Sequence, residues 1–191
     1  MVYYARNTMG LQFTLVNPLN EMDLGGGDEG PGVGAAQYTL ILSKLATRLQ
    51  ASGLGNVRLT GPNTSNMSTG VNTFMPPMLA NATVMTQLDH FSFHPWGSYD
   101  TTADARIKSS AYPTRNFWMA EFNGSCPACD NGGQSTNEWG TAKELGQLLF
   151  TYLGDNAASA LVWDGYDNFA EHHNAWTYWG LLAYNQTSKL Y

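Results

Sequence analysis

The sequence predicts an α/β fold, a partial (β/α)8 TIM barrel of about five βα units, forming one domain over residues 1–191. Three observations carry that expectation. Short apolar runs alternate with longer amphipathic stretches, the pattern of parallel strands joined by helical crossovers. The runs begin roughly 30–45 residues apart, a little above the ~31 residues per unit of a 250-residue barrel. The loop after the first run, Asn17-Pro18-Leu19-Asn20-Glu21, lacks the glycines that a doubly wound nucleotide-binding sheet places there. The later Gly25-Gly26-Gly27 lacks the G-x-G-x-x-G spacing and precedes Asp28 and Glu29, whose charges repel phosphate.

Taken in order, the apolar runs predict strands at Leu11–Val16, Val57–Thr60, Leu88–Phe93, Asn116–Ala120 and Ala160–Trp163. Between the first two, Gln37–Gln50 carries Leu40, Ile41, Leu45 and Leu49 near helical spacing and stops before Gly53. Val71–Met85 predicts a weaker helix interrupted by Pro76-Pro77, and Thr102–Ser110 another short one. Glu138–Leu153, with Leu145, Leu148, Leu149 and Leu153, predicts the last long helix, ending at Gly154. A whole barrel needs eight strands and only five are found.

Composition narrows the function classes. Of 191 residues 43% are hydrophobic, 13% aromatic and only 13% charged, which excludes disorder as the main state. The net charge of −6, without a Lys/Arg cluster, argues against nucleic acid as a partner. No run approaches the ~20 apolar residues of a membrane span, and Met1-Val2-Tyr3-Tyr4-Ala5-Arg6-Asn7 lacks the basic start and apolar stretch of a secretory leader. Asn-x-Ser/Thr triplets occur at Asn63, Asn66, Asn81, Asn123 and Asn185. A polar, aromatic-rich surface of this kind is common where sugars bind.

In a barrel of this type functional side chains sit at the C-terminal ends of strands. The residues placed there are Asn20 and Glu21, Asn63, His94 with Trp96, Glu121, and Trp163 with Asp164. Two carboxylates close apolar runs, Glu21 after Leu15–Asn20 and Glu121 after Phe117–Ala120. A charge at the end of a buried strand is costly to desolvate and calls for a reason. Two such carboxylates facing one pocket are what glycoside hydrolysis needs: one protonates the departing oxygen, and the other attacks the anomeric carbon or activates a water.

This ordered set resembles the retaining clan A glycoside hydrolases, the (β/α)8 group that contains families 5, 30 and 39. The resemblance covers nearly the whole chain, but only as strands four to eight of the barrel, with strands one to three absent from it. It implies that Asn20-Glu21 is the Asn-Glu pair ending strand four, with Glu21 the acid/base. Trp118-Met119-Ala120-Glu121-Phe122 then ends strand seven, with Glu121 the nucleophile. His94 in Phe91-Ser92-Phe93-His94-Pro95-Trp96 matches the residue lining the site from strand six, and Trp163 matches the sugar-stacking Trp of strand eight. The two Glu are one hundred residues apart, three units of roughly 33, as strands four and seven require. The usual Asn-Glu-Pro reads Asn20-Glu21-Met22 here.

The resulting expectation is a retaining β-glycoside hydrolase acting on β-linked poly- or oligosaccharides, with Asn20, His94, Trp96 and Trp163 binding substrate and neither metal nor cofactor needed. The alternative is a carbohydrate-binding or structural remnant without turnover. Polysaccharide-degrading members of the clan are mostly exported. His172-His173 reads as a surface pair, and Asp164–Asn168 as loop turns without the EF-hand spacing. Cys126-Pro127-Ala128-Cys129 precedes loop residues and reads as a local disulfide or free thiols, not a thioredoxin-like helix start. An arc of five strands leaves open edges at Leu11–Val16 and Ala160–Trp163 and exposes apolar interior residues, so a homodimer covering the open side is expected.

Overall fold

In a computed structural model, residues 1–25, 30–129, 137–163, 165–168 and 180–184 are described. The elements in order are α1 (Val2–Met9), β1 (Leu15–Val16), a 3-10 turn (Met22–Leu24), α2 (Ala35–Ala51), β2 (Arg58–Thr64), α3 (Met67–Thr69), a π turn (Gly70–Phe74), α4 (Met75–Leu79), α5 (Ala82–Gln87), β3 (Leu88–Phe93), α6 (Ala103–Lys108), β4 (Phe117–Phe122), α7 (Glu138–Gly154), β5 (Ser159–Val162), β6 (Tyr166–Asn168) and β7 (Leu182–Tyr184). Strands β1 to β5 lie side by side in sequence order, each parallel to the next. They form the curled half-barrel that the spacing predicts, and β6 and β7 make a separate parallel pair. Among the described residues no helix is long and apolar enough to cross a membrane.

One face of the sheet packs on helices. Leu59, Phe91, Phe93, Phe117 and Met119 join Tyr38, Leu42, Ala46 and Leu49 of α2, with Met75, Met78 and Met85, in one apolar core. The buried row of α2 therefore starts at Tyr38, not at the expected Leu40, which is exposed. Positions 38, 42 and 46 keep the four-residue spacing of one helix face, and Tyr38 is the large side chain that fills it. Gly61 leaves room for this ring, since a Cβ there would strike the Tyr38 hydroxyl. On α7 the buried position is likewise Tyr152, while the expected Leu153 turns toward solvent.

Pro76-Pro77 do not break the chain's course as expected. The preceding Gly70–Phe74 turn opens to π geometry, and the helix continues through Met75–Leu79. A wider turn accommodates the missing donors and the ring clash that prolines bring to an α-helix. The real stop is Asn81, whose side chain accepts from the Val84 N–H and begins α5. Asn66 caps α3 in the same way, accepting from Thr69. Two of the Asn-x-Ser/Thr triplets are thus helix starts, for which asparagine is among the preferred residues.

The other face of the sheet is lined differently. Across β2 to β4 it carries Thr60, His90, Ser92 and Trp118 rather than exposed apolar layers. The Thr60 hydroxyl donates to Ser92 Oγ at 2.9 Å, and the His90 ring stacks on Trp118 with centroids 3.8 Å apart. His90 and Ser92 are both 1% exposed, while Leu161 of β5 stays 45% exposed. Burial is the main reason His90 titrates below its ordinary value, against the upward pull of Asp89 at 3.0 Å.

Candidate functional site

The C-terminal ends of β1 to β5 bring together most residues that the sequence singles out. Beyond β1, Glu21 adopts a left-handed backbone with φ 44 and ψ 42. For a residue with a Cβ this costs on the order of 1–3 kcal/mol and persists only where neighbours enforce it. Its N–H donates to the Asn63 carbonyl at 2.9 Å, and Asn63 is itself left-handed with φ 51. Two residues on, the Asp23 carboxylate accepts from Ser65 N (2.8 Å), Ser65 Oγ (3.1 Å) and Asn66 N (3.0 Å). Gly30 passes so close that a Cβ would strike the Glu21 carbonyl. The loop bearing Glu21 is therefore held from both sides.

His94 follows directly on β3, its N–H bonded to the Thr64 carbonyl at 2.9 Å and its residue fully buried. The Nδ1 atom lies 2.7 Å from Glu21 Oε1 and 3.5 Å from Glu121 Oε2. With Glu21 ionised, a proton on Nδ1 is donated to its carboxylate, an assignment made from the partner. Nε2 is buried without a hydrogen-bond partner among the described residues. Glu21 is 4% exposed, whereas the Glu121 side chain, near the end of β4, is 25% exposed. One ligand atom each from Glu21, His94 and Glu121 lie within 4.8 Å of one another.

Two tryptophans stand at the same end of the sheet. Trp96, two residues beyond His94, is 41% exposed. Trp163, just past β5, meets it edge to face with centroids 6.4 Å apart. The backbone of Trp163 is fixed beside β4: its N–H donates to the Phe122 carbonyl, and its carbonyl accepts from Asn123 Nδ2 at 2.7 Å. Asn20 is exposed next to Glu21.

Other sequence candidates fall elsewhere. Cys126 and Cys129 form a disulfide and are buried in the loop after β4. His172, His173 and Asp164 lie outside the described residues. Asp23 was not among the sequence candidates. Its position two residues after Glu21 was the available signal, but its partners, Ser65 and Asn66, lie more than forty residues away.

No family model matches the chain, and no curated protein matches it in sequence. Solved structures do match. The chain is similar to the catalytic domain of a family 30 xylanase C from Talaromyces cellulolyticus, at 17% identity and TM-score 0.68, covering 93% of this chain and 38% of that one. It is similar to an endo-beta1,6-glucanase at 14% identity and TM-score 0.73, covering 98% of this chain and 41% of that one. A monomeric beta-xylosidase from Caulobacter crescentus CB15 matches at 18% identity and TM-score 0.63, over 87% of this chain and 37% of that one. The neighbours thus belong to the glycoside hydrolase clan that the sequence resembles, and the likeness is one of fold. This chain spans about 40% of their length.

Proposed function

We propose that the chain carries the catalytic end of a retaining β-glycoside hydrolase, with Glu121 as nucleophile and Glu21 as acid/base. The observation that carries this reading is the spacing of the two carboxylates, which offer oxygens within 4.8 Å of one another around one imidazole. Retaining enzymes hold their carboxyl groups about 5–5.5 Å apart, while inverting ones leave ~6.5–9.5 Å for a water. An oxygen pair within 4.8 Å supports the shorter, retaining separation.

In the first step Glu121 attacks the anomeric carbon of a β-linked sugar, and Glu21 gives its proton to the departing glycosidic oxygen. In the second, Glu21 takes a proton from water, and the hydroxide equivalent displaces Glu121 from the sugar. The Glu21–His94 hydrogen bond serves both states. Ionised Glu21 accepts from Nδ1–H, and protonated Glu21 donates to the Nδ1 lone pair of the other tautomer. His94 also keeps Glu21 and Glu121 turned toward each other. Asn20 bonds the sugar 2-hydroxyl, and Trp96 and Trp163 offer faces for the sugar ring.

Aryl β-glycosides and soluble β-glucans, assayed with the wild type, Glu21→Gln and Glu121→Gln, test the reading. Loss of the general acid is expected to lower the rate about 10²–10⁴-fold on natural linkages. That loss should shrink on aryl glycosides, whose leaving group needs no proton, while Glu121→Gln fails on both. Equal residual rates in all three proteins reject catalysis. Saturable sugar binding without turnover favours a carbohydrate-binding remnant.

A further inference from the structure

We propose that Glu21, His94 and Glu121 form a zinc-type divalent-cation site, and that an ion bound there closes the cleft to sugars. The proposal uses the same three side chains as the glycosidase reading, but a different property of them. One imidazole nitrogen and two carboxylate oxygens from three separate strand ends converge within 4.8 Å. This is a donor set that zinc and its borderline neighbours take, with positions left open for other ligands.

Both distances from the imidazole lie near what an ion needs, and the two carboxylate oxygens stand within 4.8 Å of each other. A tetrahedral zinc ion, with ligand bonds of about 2.0–2.2 Å, keeps its donors about 3.3–3.5 Å apart. His94 Nδ1 and Glu121 Oε2 already stand at 3.5 Å. The 2.7 Å pair of Nδ1 and Glu21 Oε1 must open by about 0.6 Å. His94 binds as the tautomer protonated on Nε2, so the proton lost to solvent is that of protonated Glu21, and the ion takes its place. The neutral imidazole with two carboxylates then brings two negative charges against the ion's two positive ones, so the partly buried pocket ends neutral. The backbone of His94 is anchored by its bond to Thr64, and the residue is fully buried. The 25% exposure of Glu121 leaves an entry path from solvent.

An ion in this position engages both carboxylates that glycoside hydrolysis needs, so it acts as an inhibitor and not as a cofactor. Magnesium and calcium prefer six or more oxygen ligands and are disfavoured by a site with a nitrogen donor and only two carboxylates.

The test is a calorimetric titration of the full chain, freed of metal by chelator, with zinc chloride and then with magnesium chloride. Zinc is expected to bind at one ion per chain, with no saturable magnesium heat. Glu121→Gln and His94→Gln should each weaken zinc more than ~10-fold, since even outer partners of metal ligands cost 10–100-fold. Glu121→Gln changes a partly exposed side chain and keeps the test decisive if the buried His94 variant does not fold. A protein with His172→Gln and His173→Gln together should bind zinc as the wild type does. Absence of saturable zinc binding overturns the proposal. So does binding that survives Glu121→Gln, or that disappears with His172 and His173. The readout is heat, so the two readings fail separately: zinc binding without hydrolysis of any glycoside leaves the site and rejects the enzyme. Hydrolysis indifferent to zinc does the reverse.

Discussion

Asp23→Ala isolates the device that holds the candidate acid/base in place. The substitution removes three hydrogen bonds to a carboxylate, from Ser65 N, Ser65 Oγ and Asn66 N, at 2.8 to 3.1 Å. Bonds to a charged group are each worth about 1.5–3 kcal/mol when both partners are dry. Asp23 is half-buried, so water can reach part of the vacated donors. We expect the loss to fall near 2–3 kcal/mol in total rather than the full sum. For a chain of this size each kcal/mol moves the melting temperature by about 2–4 °C, which gives a fall of about 4–12 °C. Asp23→Asn keeps one acceptor oxygen and should lose about half as much. Thermal unfolding followed by circular dichroism measures both. The consequence at the site is separate: with the strap cut, Glu21 loses support for its left-handed backbone, so kcat should fall at temperatures where the variant is still folded. A melting temperature within about 1 °C of the wild type would refute the reasoning, because it would mean the three bonds carry no net free energy.

Three further outcomes follow from named groups. Tyr38 is fully buried and its hydroxyl has no hydrogen-bond partner among the described residues. Tyr38→Phe should therefore stabilise the fold by up to about 1 kcal/mol in chemical denaturation, and a loss of stability would show that the hydroxyl is satisfied. His90 titrates below its ordinary value because it is buried, so on acidification the unfolded chain takes up its proton before the folded one. Stability from this group is present above about pH 6.5 and is lost as pH falls from there, by at most about 1.4 kcal/mol per pH unit. His90→Phe, which keeps a ring against Trp118, should flatten that dependence in urea melts, and an unchanged slope would contradict it. Among the described residues β1 and β5 each pair on one side only. Sedimentation at micromolar concentration should give a mass of twice 20.9 kDa, and a folded monomer would show that these edges are covered within the chain.

Much of this arrangement was legible because barrel chemistry is written at strand ends. The apolar runs located the five strands of the half-barrel but not β6 or β7, whose Tyr166–Asn168 reads as loop turns, and the hundred-residue spacing of Glu21 and Glu121 anticipated that their side chains come together. Boundaries were less readable. β1 keeps only Leu15–Val16 of the expected Leu11–Val16, because Leu11 and Phe13 are exposed and have no partner strand to order them. β2 extends to Thr64 past a glycine and a proline that local propensity counts against a strand. The helical faces shifted by two residues at Tyr38 and by one at Tyr152, since an aromatic ring with a hydroxyl scores as ambiguous in sequence yet fills the core. What sequence could not supply was partnership at long range. The Asp23 strap, the left-handed turn at Glu21 and the His90–Trp118 stack each join residues 28 to 43 positions apart or depend on such a join. No local pattern encodes them.

The central claim is that Glu121 attacks the sugar. An aryl 2-deoxy-2-fluoro-β-glycoside with a good leaving group tests it most directly. Fluorine beside the anomeric carbon disfavours the oxocarbenium-like transition states of both steps, and the leaving group restores only the first, so a glycosyl-enzyme accumulates. Intact-mass measurement should show one glycosyl unit added per chain, and peptide mass spectrometry should place it on the Glu121 carboxylate, with none in Glu121→Gln. A label on another residue, or turnover of glycosides to a product of inverted anomeric configuration without any label, would contradict the account.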